Sequence, residues 1–307
     1  MLTSFFGKSS PVNFLLLSIF IVVVRTVQAI LFFKGSFGWT PAFVLLGHIL
    51  ASVFAMLLLD FIIRKNALTQ SHTLGIFVFC CWMLCLPVLE SWQMAVAQLF
   101  ILLALRRIFS LSSDKKDEKK ILDATLWILL ASYFYFWSIL FFGALYLAIS
   151  NKNQKPFRYF FIPIVGALGM LLLATAFFFI KENSMQWMSR WPEHISLNYT
   201  PYASSKMIGF IAFLLALFSW AVTFRLSNLG EVARKVKGNY LLVVYLGIMG
   251  LFATLFSEVK STVEWLFFII PAAVIIAGYL EKKGERWFKE LLLWLIMAMP
   301  IISLFLR

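Results

Sequence analysis

The chain has 307 residues, of which 62% are hydrophobic, 18% aromatic and 13% charged, with 27 Lys and Arg against 14 Asp and Glu for a net charge of +13. Soluble domains carry roughly 25% charged residues, so there is too little polar surface here for a water-soluble globule, a disordered chain or a disulfide-stapled secreted scaffold. The composition predicts an all-α, polytopic transmembrane helical bundle, and the basic excess reads as loop charge on the cytoplasmic side rather than as a surface for nucleic acid.

A spanning helix needs about 20 apolar residues, at about 1.5 Å each, to cross ~30 Å of hydrocarbon. In chain order such stretches cover residues 14–33, 42–63, 74–89 and 92–109, then 157–180, 207–224, 240–256, 265–280 and 291–306. Residues 1–29 imitate a signal peptide, but the apolar run continues past Val27-Gln28-Ala29, so they are read as an uncleaved first span. Residues 121–149 form one run too long for an upright helix and too short for two with a turn. Its centre, Tyr133-Phe134-Tyr135-Phe136-Trp137, is an aromatic cluster of the kind found at membrane interfaces, and a short two-armed hairpin at 121–149, buried among other helices, is expected.

The basic residues select the hairpin over a single crossing. With the N-terminus cytoplasmic, one side collects Lys8, Arg64, Lys65, Arg106, Arg107, Lys115, Lys116, Lys119 and Lys120. The clusters at residues 152–158, 225–237 and 282–289 fall on the same side, whereas Lys34, Lys181, Arg190, Lys206, Lys260 and Arg307 fall on the other. The expectation is one integral membrane domain, 1–307, with about 11 membrane segments in a bacterial inner membrane and a periplasmic C-terminus.

No phosphate-cradling glycine loop, dinucleotide fingerprint or zinc-helix motif is present, and His48, His72 and His194 are far apart. Cys80, Cys81 and Cys85 sit in an apolar run and read as small buried hydrophobes. No metal site and no cofactor is assigned. The outward acids are Glu90, Glu182, Glu193, Glu258 and Glu264. Glu90, after Pro87 in a tight turn, is an interfacial turn residue or a general base or metal-binding carboxylate facing a cavity. Glu258, Lys260 and Glu264 are a helix-spaced pair with a neighbour, or a base with a cation for an anionic leaving group. Arg25, inside the first span, is half of a structural ion pair or a contact for a phosphate or other acidic group. Residues 187–194, with Trp187, Arg190, Trp191, Glu193 and His194, form an interfacial amphipathic segment or an aromatic platform for a sugar with charged neighbours.

The opening, Leu2-Thr3-Ser4-Phe5-Phe6-Gly7-Lys8-Ser9-Ser10-Pro11-Val12-Asn13, resembles that of an uncharacterised family of polytopic membrane proteins from Bacteroidota. So do Leu103-Ala104-Leu105-Arg106-Arg107-Ile108 and Ile121-Leu122-Asp123-Ala124 with the aromatic hairpin after it. That resemblance implies location and topology and no activity. More loosely, the basic loop before a short aromatic hairpin resembles the polytopic C-type glycosyltransferases, which move sugars from lipid-phosphate donors. Those enzymes place an acid in the first outer loop, whereas residues 34–41 here contain none.

The resemblance implies a polyprenyl-phosphate-linked sugar as partner. The base would come from Glu90, Glu258 or Glu264, and the substrate would be held by Arg25, Lys260, Arg190 or His194. The alternative is a non-catalytic subunit or assembly factor packed against other inner-membrane proteins. A transporter is the third reading.

Overall fold

The computed structural model describes residues 2–34, 38–70, 72–112, 116–152, 156–258, 260–282 and 284–305, and every regular element among them is helical. Residues 35–37 of the acid-free loop, together with Asp114, Lys115, Lys155, Lys283 and Arg307, lie outside the described residues. The helices are α1 (Leu2–Phe6), α2 (Pro11–Phe32), α3 (Trp39–Lys65), α4 (Leu74–Cys85), α5 (Trp92–Phe109), α6 (Asp117–Phe134) and α7 (Phe141–Ser150). They continue with α8 (Arg158–Glu182), α9 (Trp187–Arg190), α10 (Ser205–Ser227), α11 (Arg234–Phe256), α12 (Leu266–Glu281) and α13 (Arg286–Phe305). Among the described residues, eight helices are long and apolar enough to cross a membrane: α2, α3, α5, α8 and α10 to α13.

The stretch expected at 74–89 yields a shorter helix, because Pro87 supplies no N–H and forces the residue before it out of the helical region. Leu86 is accordingly extended, with φ −89° and ψ 142°, and α4 stops at Cys85 after 12 residues. A helix ending inside a bundle leaves carbonyls that must find donors. Arg25 and Gln28 of α2 supply them. Arg25 Nη2 donates to Met83 O at 3.1 Å and Nη1 to Leu86 O at 3.3 Å, while Gln28 Nε2 donates to Leu84 O at 2.6 Å. The positive guanidinium also suits the negative end of the α4 dipole.

Residues 121–149 are divided between two helices. Tyr135 takes an extended conformation, φ −148° and ψ 104°, ending α6, and a tight turn over Phe136–Leu140 leads into α7. The aromatic tip is pinned inside the bundle: Tyr135 stacks on Phe267 of α12 at 4.7 Å and its hydroxyl donates to Ala253 O of α11 at 2.7 Å. At the open end of the hairpin, Lys152 after α7 meets Asp117 at the start of α6 and donates to Leu111 O at 2.9 Å. Both arms therefore begin and finish at one end of the molecule.

Contacts between loops define two ends. At the first, Thr73 N donates to Phe6 O, Gln70 N to Glu281, Asn239 to Phe109 O and Arg225 Nε to Tyr240 O. Glu290 of α13 accepts the backbone N–H groups of Leu2 and Thr3 there. This end carries the basic clusters of α3, α5, α6 and the later loops. At the opposite end, Trp191 Nε1 donates to Ser132 O at 3.0 Å and Ser196 N to Phe256 O at 3.4 Å.

Helix α12 is the axis of the bundle, with 89% of its span buried, whereas α8 lies at the edge with 11% buried. Gly250 lets α11 approach α12 closely, since a Cβ there would come 2.9 Å from the Phe268 Cα. Gly166 seats α8 on Leu122 and Thr125 of α6 in the same way. Small residues at such contacts allow dispersion to hold helices together where lipid removes the hydrophobic drive.

Candidate functional site

The opposite end holds a cleft of about 350 Å³. Its walls come from the start of α5, the end of α6, the end of α8 and the segment 187–193 that follows. Aromatic side chains build it. Trp187 stacks on Phe178 at 5.5 Å, Trp191 meets Phe136 edge-on at 5.5 Å, and Trp92 meets Phe134 edge-on at 5.6 Å. The Trp191 indole is oriented by its bond to Ser132 O. Rigid rings held this way present flat apolar faces beside polar edges.

Three charged side chains line the same cleft: Glu182, Arg190 and Glu193. Arg190 Nη2 lies 3.2 Å from Glu182 Oε2 and 3.0 Å from Gln186 Oε1. Asn183, in the left-handed region at φ 51°, ends α8 and turns the chain so that α9 folds back over it. Glu193 Oε2 is shut from solvent and has no hydrogen-bond partner among the described residues. Burial pushes the Glu193 carboxyl above the usual carboxylate range, against the opposing pull of the Phe136 and Glu258 backbone N–H groups and the Trp137 indole, and the Glu258 carboxylate adds to the rise. An acid raised in this way holds its proton more tightly than an ordinary carboxyl and is a stronger base once ionised.

Of the residues given a site role from the sequence, Arg190 lines the cleft, together with Trp187, Trp191 and Glu193 of its segment and the outward acid Glu182. Glu258 lies behind it, where its Oε2 accepts the backbone N–H of His194 at 3.0 Å and so ties the 183–204 segment to the end of α11. His194 is exposed.

Glu264 and Lys260 belong to a separate buried network. Glu264 is wholly buried and accepts hydrogen bonds from the Tyr202 hydroxyl and, at 3.2 Å, from Ser261 Oγ. Lys260 Nζ donates to Leu255 O at 2.9 Å and Ser257 O at 2.7 Å, closing the C-terminus of α11, and stands 4.9 Å over the Tyr199 ring. Burial lowers its ammonium pKa. The helix-spaced pairing of Lys260 with Glu264 does not form, because residues 257–258 and 260–262 are not helical. Thr262 there has φ 70°, an unusual conformation for a β-branched residue.

Glu90 is exposed at the end of the Val88–Glu90 turn, two residues before Trp92. Arg25 is apart from all of these, fully buried in the bundle with both terminal nitrogens on oxygen acceptors. The sequence does not single out Glu182 as a partner of Arg190, since the two are eight residues apart across a helix end. Glu193 was visible only as one outward acid in an aromatic segment. Among the described residues no group of three or more His, Cys, Asp or Glu is arranged to hold a metal ion.

The fold and its cleft define a polytopic α-helical protein of membrane type, with a polar aromatic site at the end that lacks the basic clusters. The chain belongs to the family of unknown function DUF6427, whose model matches residues 9–306. No curated protein and no solved structure matches it.

Proposed function

We propose that the protein handles a lipid-linked sugar at the end opposite its basic clusters, in the manner of the C-type glycosyltransferases. The positive-inside rule puts the basic end in the cytoplasm of a bacterial cell and the cleft on the periplasmic face of the inner membrane. On this reading α4, α6 and α7 count as membrane segments beside the eight long helices, giving the eleven expected from the sequence.

The observation that carries the reading is the cleft itself. Flat indole and phenyl faces suit the C–H faces of a sugar ring, and Glu182 and Arg190 offer hydrogen bonds to its hydroxyls. Glu193, rather than Glu90, Glu258 or Glu264, is the base. Its carboxylate takes the acceptor hydroxyl proton as the new bond forms at the anomeric carbon, and the phosphate leaves with the electron pair of the broken C–O bond. Arg190 faces that developing charge. Lys260 and Arg25 hold the fold, since their donors serve backbone carbonyls.

Native mass spectrometry of the protein extracted gently from its own membrane tests the reading. A retained sugar-lipid is expected, lost in Trp191→Ala, which removes the binding wall, and kept in Glu193→Gln, which removes the base. A stoichiometric protein partner with no such lipid in the wild-type chain would replace this function with the non-catalytic subunit.

A further inference from the structure

An apolar groove of about 500 Å³ runs between α6 and α8, with Leu130 on one wall and Ala174 on the other. It adjoins the polar cleft, with Tyr133, Phe178, Trp187 and Trp191 forming a wall common to both. Lys181 lines the groove in the last turn of α8, is exposed, and makes no hydrogen bond or ion pair among the described residues. Across the shared aromatic wall lies Arg190. The carboxylates of this region, Glu182 and Glu193, line the cleft and not the groove.

We infer that the groove is the seat of a single hydrocarbon chain whose phosphate is held at Lys181 and whose polar head enters the aromatic cleft. This rests on the reading of the cleft as a head-group site and adds where the chain and the anion lie. Three observations converge on this occupant. The groove is lined mainly by apolar side chains of α6 and α8, and α8 is long and apolar enough to cross a membrane, so its contents are hydrocarbon. Its volume suits one chain and not a pair side by side. The cation at its mouth stands where the chain ends and the polar cleft begins, which is where a phosphate joining the two would sit. An annular lipid with no head-group preference would need neither the cation nor the adjoining cleft. The edge position of α8 lets such a ligand enter sideways from the membrane.

The test uses the full-length protein in phosphatidylcholine nanodiscs and hexadecyl phosphate carrying a photoreactive diazirine in mid-chain. Peptide mapping should place the label on α6 around Leu130 and on α8 around Ala174, with unlabelled hexadecyl phosphate competing and hexadecanol competing poorly. Ala174→Trp fills the groove and should abolish the labelling. Lys181→Gln, an exposed change that leaves the fold intact, should weaken competition by hexadecyl phosphate roughly tenfold and bring it near that of hexadecanol, as expected for loss of one charge-assisted contact. Labelling spread evenly over α2, α3 and α10, or unchanged by Ala174→Trp and Lys181→Gln, would overturn the inference. The sugar reading is separated by a second probe, the same alkyl phosphate bearing a hexose. If the hexose adds no affinity while the groove is labelled, the sugar assignment falls and the chain site stands.

Discussion

The two ends of the bundle treat their acids differently. At the basic end Asp60, Asp117, Glu118, Asp123, Glu231 and Glu281 each lie within 4.0 Å of a basic side chain, and Asp117 meets both Lys120 and Lys152. At the opposite end Glu182 pairs with Arg190, and Glu90, Glu193, Glu258 and Glu264 form no ion pair among the described residues. Most acids of the basic end are thus paired with a cation, while Glu290 takes the backbone N–H groups of Leu2 and Thr3 and Glu285 forms no ion pair among the described residues. Acids left without a cation in a partly buried site are costly to keep, and such groups concentrate where a ligand or a proton is to be handled.

The largest expected effect blurs the boundary between the ends in an instructive way. Arg25 lies toward the sparse end yet is spent on the carbonyls of α4. Arg25→Leu should lose about 4 kcal/mol, since several buried acceptors are stranded together, and thermal unfolding in detergent would show it. An unchanged melting temperature with lost ligand retention would instead make Arg25 part of the binding site.

Next comes Asp117→Ala, which strands the buried Lys152 ammonium and should cost about 3 kcal/mol. The same melting measurement checks it. At the other end, Glu193→Gln should leave the fold as stable or more so, with the sugar-lipid still retained in native mass spectra. A pH series sharpens this. The folded chain holds the Glu193 proton more tightly than the unfolded chain does, so stability falls as pH rises from the ordinary carboxylate value to the raised one and is level above it. Glu193→Gln should remove that decline; a decline that persists would assign it to another group.

The smallest effect is expected for Glu231→Gln. Its bond with Lys282 is made by side chains 68% and 36% exposed, and exposed pairs contribute about 0.5 kcal/mol or less. A larger loss would mean that the basic end is held by its surface pairs rather than by its buried ones.

Much of the architecture was legible in the chain. Apolar runs of the right length mark the spans because lipid tolerates only helices whose backbone is satisfied internally, and the basic residues sort the loops because that bias follows charge alone. The aromatic run at 133–137 marked the hairpin tip, since extended residues and bulky rings interrupt a helix that must turn back. Pro87 was equally visible, but its consequence for α4 was not: where a helix stops depends on whether something else can serve its free carbonyls.

Arg25 shows the limit most clearly. The sequence determined that a cation lay inside the first span and that it needed partners. Only the packing of α2 against the end of α4 decided that those partners are carbonyls and not a phosphate. The cleft has the same logic. The sequence supplied Arg190, Glu193 and the aromatic residues in the segment 187–194, but Glu182, Trp92 and Phe136 come from separate elements. Their meeting depends on how α5, α6 and α8 pack and on the turn at Asn183, which are long-range contacts that local composition does not encode.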